Sequence, residues 1–101
     1  MTRLRDIATH VRSKNAGPFW LTVDVFLPDR ASFDRAVASG LTDRAVLGTT
    51  YDVDPATVLV FAVPDLHVVK VSFPRPTTQG ARDDRDMHGG QQFVPLLDLA
   101  V

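Results

Sequence analysis

Residues 12–19 concentrate the side chains best suited to holding an acidic ligand. The candidate residues in this stretch are Arg12, Ser13, Lys14, Asn15 and Gly17. The two cations supply positive charge, the serine and the asparagine supply hydrogen-bond donors, and the glycine lets backbone amides approach a ligand closely. Groups of this kind bind carboxylates and phosphates. The stretch is therefore the first candidate for a substrate-binding or partner-facing site.

The same cations also have a purely structural interpretation. Leu4, Ile7, Ala8 and Val11 recur at helical spacing, which predicts an amphipathic helix over residues 3–12. The C-terminal end of a helix carries partial negative charge, so it favours arginine and lysine without any ligand. Both interpretations stay open at this point.

A second candidate region is the polar segment at residues 75–92, predicted to be a long loop. Its possible ligand-binding or partner-facing residues are Arg75, Gln91 and Gln92. It also contains a set of oxygen and nitrogen donors, namely Asp83, Asp84, Asp86 and His88. These lack the spacing of a calcium loop, and two neighbouring arginines compete for the carboxylates. We expect a solvated loop and no metal site.

Recognisable catalytic patterns are missing from the sequence. It has no cysteine, which excludes disulfides, thiolate metal sites and a cysteine nucleophile. His10, His67 and His88 do not form a metal-binding pattern, and neither a nucleophile elbow nor a phosphate-binding glycine loop is present. Asp24 is interpreted as an isolated acid on the polar face of a strand. We expect no cofactor.

Composition limits the class of protein further. With 101 residues, 45% of them hydrophobic, the chain is expected to form a single domain over residues 1–101. The net charge of −1 gives no general field for nucleic acid, and no apolar run is long enough to span a membrane. The first residues lead into an amphipathic pattern and not into a signal sequence. We therefore expect a cytoplasmic protein that binds neither nucleic acid nor membranes.

The remaining pattern predicts the elements that would position these residues. Residues 19–27 alternate as a half-buried strand, and the almost wholly apolar residues 57–63 resemble a central strand covered on both faces. Asp29 is predicted to cap a helix that runs through residue 39, with Gly40 as its C-cap. Thr42 is predicted to cap a second helix over 43–51. Two further strands are predicted over 67–73 and 96–101. The strands at 57–63 and 67–73 are expected to form an antiparallel hairpin. The predicted fold class is α+β, a ferredoxin-like sandwich with about four mainly antiparallel strands and helices on one face.

Three segments resemble a family of small bacterial proteins of this length, known as a domain of unknown function. They are Arg12-Ser13-Lys14-Asn15-Ala16-Gly17-Pro18-Phe19, Pro74-Arg75-Pro76, and Gln91-Gln92-Phe93-Val94-Pro95-Leu96-Leu97-Asp98-Leu99. That family is similar to the C-terminal ferredoxin-like domain of AtuA-like proteins, named after acyclic terpene utilisation. The larger proteins carry an Arg-Ser-Gly-Asp-Lys-Gly-Asn turn, which the present chain matches at Arg12-Ser13 and departs from in the middle.

The resemblance implies a function for the chain. Members of the small family are encoded beside an AtuA-like large protein, among genes for carboxylic-acid or acyl-CoA metabolism. This implies an accessory subunit of a heteromeric enzyme, a lyase or hydratase, whose acidic substrate would suit Arg12 and Lys14. A self-sufficient small oligomeric enzyme or acid-binding module, and a non-catalytic interaction domain, are the alternatives. The subunit hypothesis predicts an exposed apolar patch.

Overall fold

The computed structural model describes residues 2–17, 19–74 and 94–101, and within these ranges four strands form one antiparallel sheet. The strands are β1 (His10–Asn15), β2 (Trp20–Phe26), β3 (Leu59–Val63) and β4 (Val68–Pro74), arranged in the order β1-β2-β4-β3. The helices are α1 (Leu4–Ile7), α2 (Arg30–Val37) and α3 (Arg44–Tyr51), with short 3-10 helices at Gly40–Thr42, Pro55–Thr57, Pro64–Leu66 and Val94–Asp98. This α+β arrangement is consistent with the predicted ferredoxin-like class.

One face of the sheet, called the inner face, forms the hydrophobic core with the helices. Val23 and Val25 of β2 are fully buried there, as are Val69 and Val71 of β4. The buried residues that join them from outside the sheet are Leu4, Leu27, Phe33, Ala36, Leu41, Leu47, Tyr51, Val58 and Leu96. Burial of each valine, leucine or phenylalanine in this core stabilises the fold by roughly 1.5–3 kcal/mol relative to an exposed position. The alternating apolar pattern predicted for β2 and β4 is confirmed.

Acidic side chains begin both longer helices. Asp29 caps α2 as predicted, accepting a hydrogen bond from the backbone N–H of Ser32 at 2.8 Å, and this bond lowers the pKa of its carboxyl. The predicted cap of the next helix was wrong by one residue. Asp43 accepts from the first-turn N–H groups of α3, whereas the Thr42 hydroxyl donates to the carbonyl of Val37. The shift arises because Thr42 is held in the preceding 3-10 helix.

The predicted helix over residues 3–12 is wrong in its second half. Helix α1 ends at Ile7, Ala8 is extended, and β1 begins at His10. Leu4 in the helix and Val11 in the strand both reach the core, so their helical spacing is coincidental. Pairing with β2 supplies the backbone hydrogen bonds that a longer helix would have made internally.

Two other strand predictions need correction. The apolar run at 57–63 is not a central strand, because β3 lies at the edge of the sheet with Leu59 and Phe61 exposed. The predicted strand over 96–101 is a 3-10 helix followed by a single bridge between Ala100 and Arg3. Gly40 starts a 3-10 helix instead of ending α2. The β3–β4 hairpin is confirmed.

Two further expectations concern the rest of the chain. The predicted loop at 75–92 lies outside the described residues. Among the helices that the structure describes, none has the length and apolar character needed to cross a membrane.

Tyr51 provides a test of packing on the inner face. Its ring stacks on Phe73 with centroids 4.1 Å apart, and burial raises the pKa of its phenol above the usual value. The unfolded chain ionises this group near pH 10 while the folded chain keeps it protonated. Its contribution to stability is therefore complete below about pH 10 and falls as the pH rises further, by up to ~1.4 kcal/mol per pH unit.

Because Tyr51 is the single tyrosine of the sequence, phenolate absorbance follows it directly. We expect ionisation to be displaced above pH 10 and to coincide with alkaline unfolding. Tyr51→Phe should flatten the dependence of the unfolding free energy on pH in this range. A phenol that titrates near pH 10 in a folded chain would contradict this packing.

Candidate functional site

The hairpin of β1 and β2 positions the cations that the sequence singled out. Residues 12–15 lie within β1 and not at a helix end, so the structural interpretation of Arg12 and Lys14 as helix-terminal cations was wrong. The backbone N–H of Ala16 donates to the carbonyl of Trp20 at 2.9 Å, which closes the hairpin. Gly17 has a φ of 90°, a conformation that favours glycine, so the turn itself explains this residue.

Strand geometry divides the predicted site residues between two faces. Successive side chains in a strand point to opposite sides, so Arg12 and Lys14 are exposed on one face of β1 while Ser13 is buried on the inner face. Asn15 ends the strand and is half-buried. Arg75, Gln91 and Gln92 lie outside the described residues. The predicted site residues that the structure describes are therefore divided between the two faces of the sheet.

The face that carries Arg12 and Lys14 is the side of the sheet opposite the core, and we call it the outer face. None of the described residues on this face belongs to the core cluster. By strand alternation and register its members are His10, Arg12, Lys14, Trp20, Thr22, Asp24, Phe26, Leu59, Phe61, Val63, Val68, Lys70, Ser72 and Pro74. A 3.0 Å hydrogen bond between the Thr22 and Ser72 hydroxyls confirms that β2 and β4 present these residues on the same side.

A charged row crosses the middle of the outer face. The antiparallel registers place Arg12 opposite Asp24, and Asp24 opposite Lys70. Phe61 of β3 continues the same row beyond Lys70. An acid thus lies between two cations on neighbouring strands.

Asp24 is the least expected member of this row. Its side chain is only 3% exposed, and its Oδ2 accepts a hydrogen bond from Arg12 Nε at 3.4 Å. Among the described residues its Oδ1 has no hydrogen-bond partner. Burying a carboxylate with one oxygen unpaired costs free energy, and a long contact to a single guanidinium does not fully offset that cost. Asp24 is therefore poorly explained as a stabilising residue.

The guanidinium of Arg12 is fixed from two sides but stays accessible. Its central carbon lies 5.2 Å from the centroid of the Phe26 ring, and the His10 ring lies 5.8 Å from the same centroid. Both Asp24 and Phe26 belong to β2, two residues apart, so one strand holds the arginine by charge and by ring contact. Arg12 is nevertheless 55% exposed, so much of its side chain faces solvent.

Large apolar side chains surround this row on the outer face. The exposed fractions are 38% for Trp20, 41% for Leu59 and 53% for Phe61. Leu59 and Phe61 are neighbours on the same side of the edge strand β3. The outer face therefore combines exposed apolar side chains with cations, a mixture typical of surfaces that bind another molecule.

Three members of this arrangement were missed by reasoning from the sequence: Asp24, Phe26 and Lys70. Asp24 is the only charged residue within the apolar strand 20–26, a signal that was interpreted as an isolated acid. Its pairing with Arg12 depends on residues 10–15 forming a strand, whereas the spacing of apolar residues predicted a helix there. No three histidine or acidic side chains of the described ranges lie close enough to hold a metal ion, and Asp83, Asp84, Asp86 and His88 fall outside those ranges.

Comparison with known protein families matches residues 4–100 to the model of a domain of unknown function, DUF4387. The chain belongs to this family. The match covers all four strands, and with them the whole outer face. Searches of curated proteins and of solved structures gave no match.

The pairing of Arg12 with Asp24 predicts an asymmetry between two substitutions. Arg12→Leu removes the only described partner of a buried carboxylate and should lower the free energy of unfolding by about 1–2 kcal/mol. Asp24→Leu removes the buried charge itself and should change stability by less than about 1 kcal/mol. Urea unfolding of both variants measures the difference.

Lys14→Leu is the matched control, because Lys14 is an exposed cation on the same face of β1. It should change stability by no more than about 0.5 kcal/mol. If Asp24→Leu proves more destabilising than Arg12→Leu, the carboxylate is a net stabilising group and the asymmetry is refuted.

Proposed function

We propose that this protein is the small accessory subunit of a heteromeric enzyme and that the outer face of its sheet binds the larger chain. The observation that carries the proposal is the exposure of Trp20, Leu59 and Phe61 beside a row of charged groups. Aromatic residues and arginine are enriched where proteins bind one another, and apolar groups at the centre of an interface supply most of its affinity.

The edge position of β3 supports the same surface. Among the described strands none pairs with the side of β3 that faces away from β4. A partner that covers Leu59 and Phe61 therefore also gains access to this strand edge, where it can extend the sheet. An interface of this kind buries apolar area and satisfies backbone hydrogen-bonding groups together.

The partner and the reaction follow from the family resemblance together with the charges of the outer face. We infer an AtuA-like large chain as the partner, because the small family resembles the C-terminal domain of such proteins. The substrate class is a carboxylic acid or an acyl-CoA, and the reaction a lyase or hydratase step in the cytoplasm. Arg12, Lys14 and Lys70 support an acidic substrate, since all three are cations on the outer face.

A second candidate function is an acid-binding module that acts without a large chain, as an oligomer of identical subunits. The observation that favours it is the Arg12–Asp24 arrangement, which this chain forms by itself. In that case the outer face binds a second copy of the chain. A non-catalytic interaction domain is the third alternative. It differs from both candidates only in that it does not contribute to the turnover of a complex.

Co-expression with the AtuA-like large protein tests the proposal. We expect the two chains to elute together in size-exclusion chromatography, with a mass by light scattering that equals their sum or a multiple of it. Phe61→Asp should weaken the complex at least about tenfold, because it places a charge among apolar groups at the interface.

Leu66→Asp is the matched control. Leu66 is more exposed than Phe61, at 67% against 53%, but it lies in the 3-10 helix between β3 and β4 and not in a strand of the outer face. The control should leave the complex intact. A small chain that elutes alone as a monomer refutes the subunit function, and one that elutes alone as an oligomer sensitive to Phe61→Asp supports the acid-binding module instead.

A further inference from the structure

We propose that Arg12, held in place by Asp24 and Phe26, is a receptor for a single carboxylate group on the outer face. The biological setting of this site rests on the proposed function, since it lies on the surface assigned to the partner. The site itself is formed entirely by this chain. It can therefore be tested without the large subunit.

The first argument is that Asp24 positions Arg12. A buried carboxylate with an unpaired Oδ1 is costly, and an apolar residue of similar volume would fill the same space without that cost. What the carboxylate does achieve is to accept a hydrogen bond from Arg12 Nε, while the guanidinium carbon lies over the Phe26 ring, 5.2 Å from its centroid. A long, flexible side chain is thereby held in one place before any ligand arrives, which lowers the entropy lost on binding.

The second argument concerns the part of the guanidinium that stays available. Asp24 is bonded to Nε, and it is the only carboxylate of the described residues within ion-pair distance of Arg12. No described residue accepts a hydrogen bond from either Nη nitrogen, so the donors of both are available to another acceptor. A guanidinium presents these donors in a planar fork that matches the two oxygens of a carboxylate.

The third argument is the charge of the row. Arg12 and Lys70 lie on either side of Asp24, so the row carries one more positive charge than negative. Asp24 is the only acidic residue in the four described strands, and Lys14 adds a further cation on the same face. A singly charged carboxylate matches the single excess positive charge of the row itself. The fixed charge of Asp24 repels any anion bound at Arg12, and it repels a doubly charged phosphate about twice as strongly as a carboxylate.

A second arginine of the same chain provides a matched comparison. Arg30 also donates from Nε to an acid, Asp34 at 2.9 Å, and its guanidinium carbon also lies near an aromatic ring, that of Phe33 at 5.7 Å. The difference is burial, because the Asp34 side chain is 60% exposed on the surface of α2. An exposed pair of this kind is weakly held. Arg30 should therefore not act as a receptor.

The test is an NMR titration of the full chain with sodium propionate, using sodium chloride at matched ionic strength as the reference. We expect saturable shifts at the backbone amides of Arg12, Asp24 and Lys70, with a Kd on the order of 1–10 mM, as befits one charged contact in water. Arg12→Gln should abolish these shifts, and Arg30→Gln should leave them unchanged. Equal shifts with chloride, or shifts that survive Arg12→Gln, overturn the proposal.

Substitution of Asp24 separates positioning from simple charge attraction. Asp24→Leu makes the outer face more positive, so a surface that attracts anions by charge alone would bind propionate more tightly. Positioning predicts the opposite, a Kd raised at least about threefold, because the guanidinium is released. Asp24→Asn keeps an acceptor for Nε, so its Kd for propionate should lie between those of the unsubstituted chain and of Asp24→Leu. Unchanged or tighter binding by Asp24→Leu refutes the positioning role.

A variant that retains Asp24 guards against misfolding. Phe26→Leu removes the ring contact but keeps an apolar side chain at a half-buried position. It should also raise the Kd for propionate while the amide spectrum stays dispersed. If Asp24→Leu does not fold, this variant decides the question alone, and an unchanged Kd then refutes the site.

The carboxylate can come from an acidic substrate or from an aspartate or glutamate of the partner chain. If it belongs to the partner, propionate and Arg12→Gln both weaken the complex with the large chain. If it belongs to a substrate, the complex of Arg12→Gln forms normally and only its binding of propionate is lost. Because the titration uses the small chain alone, its result does not depend on whether the large-chain complex forms.

Discussion

The antiparallel pairing of β1 with β2 is the interaction on which the rest of this structure depends. In this register Val11 lies opposite Val25, and Arg12 lies opposite Asp24. The contact between the valines completes the core on the inner face. The contact between Arg12 and Asp24 brings a guanidinium to a buried carboxylate on the outer face. Since side chains alternate along a strand, a slip of one residue would exchange the side chains of these two faces and bury the cations. The burial of Val11 and Ser13 on the inner face of β1 therefore determines the geometry of the charged row.

The two faces of the sheet differ in burial, and the proposed binding surface lies on the face opposite the core. Its inner face is covered by helices whose apolar residues form one cluster with β2 and β4. Its outer face keeps a costly buried acid, an accessible arginine and exposed aromatic side chains together. Residues that bind other molecules are commonly held by a rigid scaffold that is stabilised elsewhere, because binding groups themselves contribute little to folding. The two faces of this sheet fit that division.

Much of the fold could be predicted because the relevant signals are local. The alternation in β2 and β4 follows directly from successive valines and polar residues, and Asp29 precedes its helix at the position where a cap belongs. The errors share a different cause. A run such as 57–63 can be equally apolar in a central strand and in an edge strand with exposed apolar side chains. Likewise, Leu4 and Val11 reach one core from a helix and from a strand, so their spacing could not distinguish the two.

What the sequence determined by itself was which residues of β2 and β4 share a face, where α2 begins, and the α+β class. Periodicity and capping act over a few residues, and these properties follow from them. Only the tertiary structure decided that residues 10–15 pair with β2, that β3 lies at an edge, and that Asp24 lies buried between Arg12 and Lys70. These are relations between segments far apart in the chain. They depend on which pairing of segments satisfies the backbone hydrogen bonds and buries the apolar faces at the same time. That pairing is decided by the whole fold and not by any one segment.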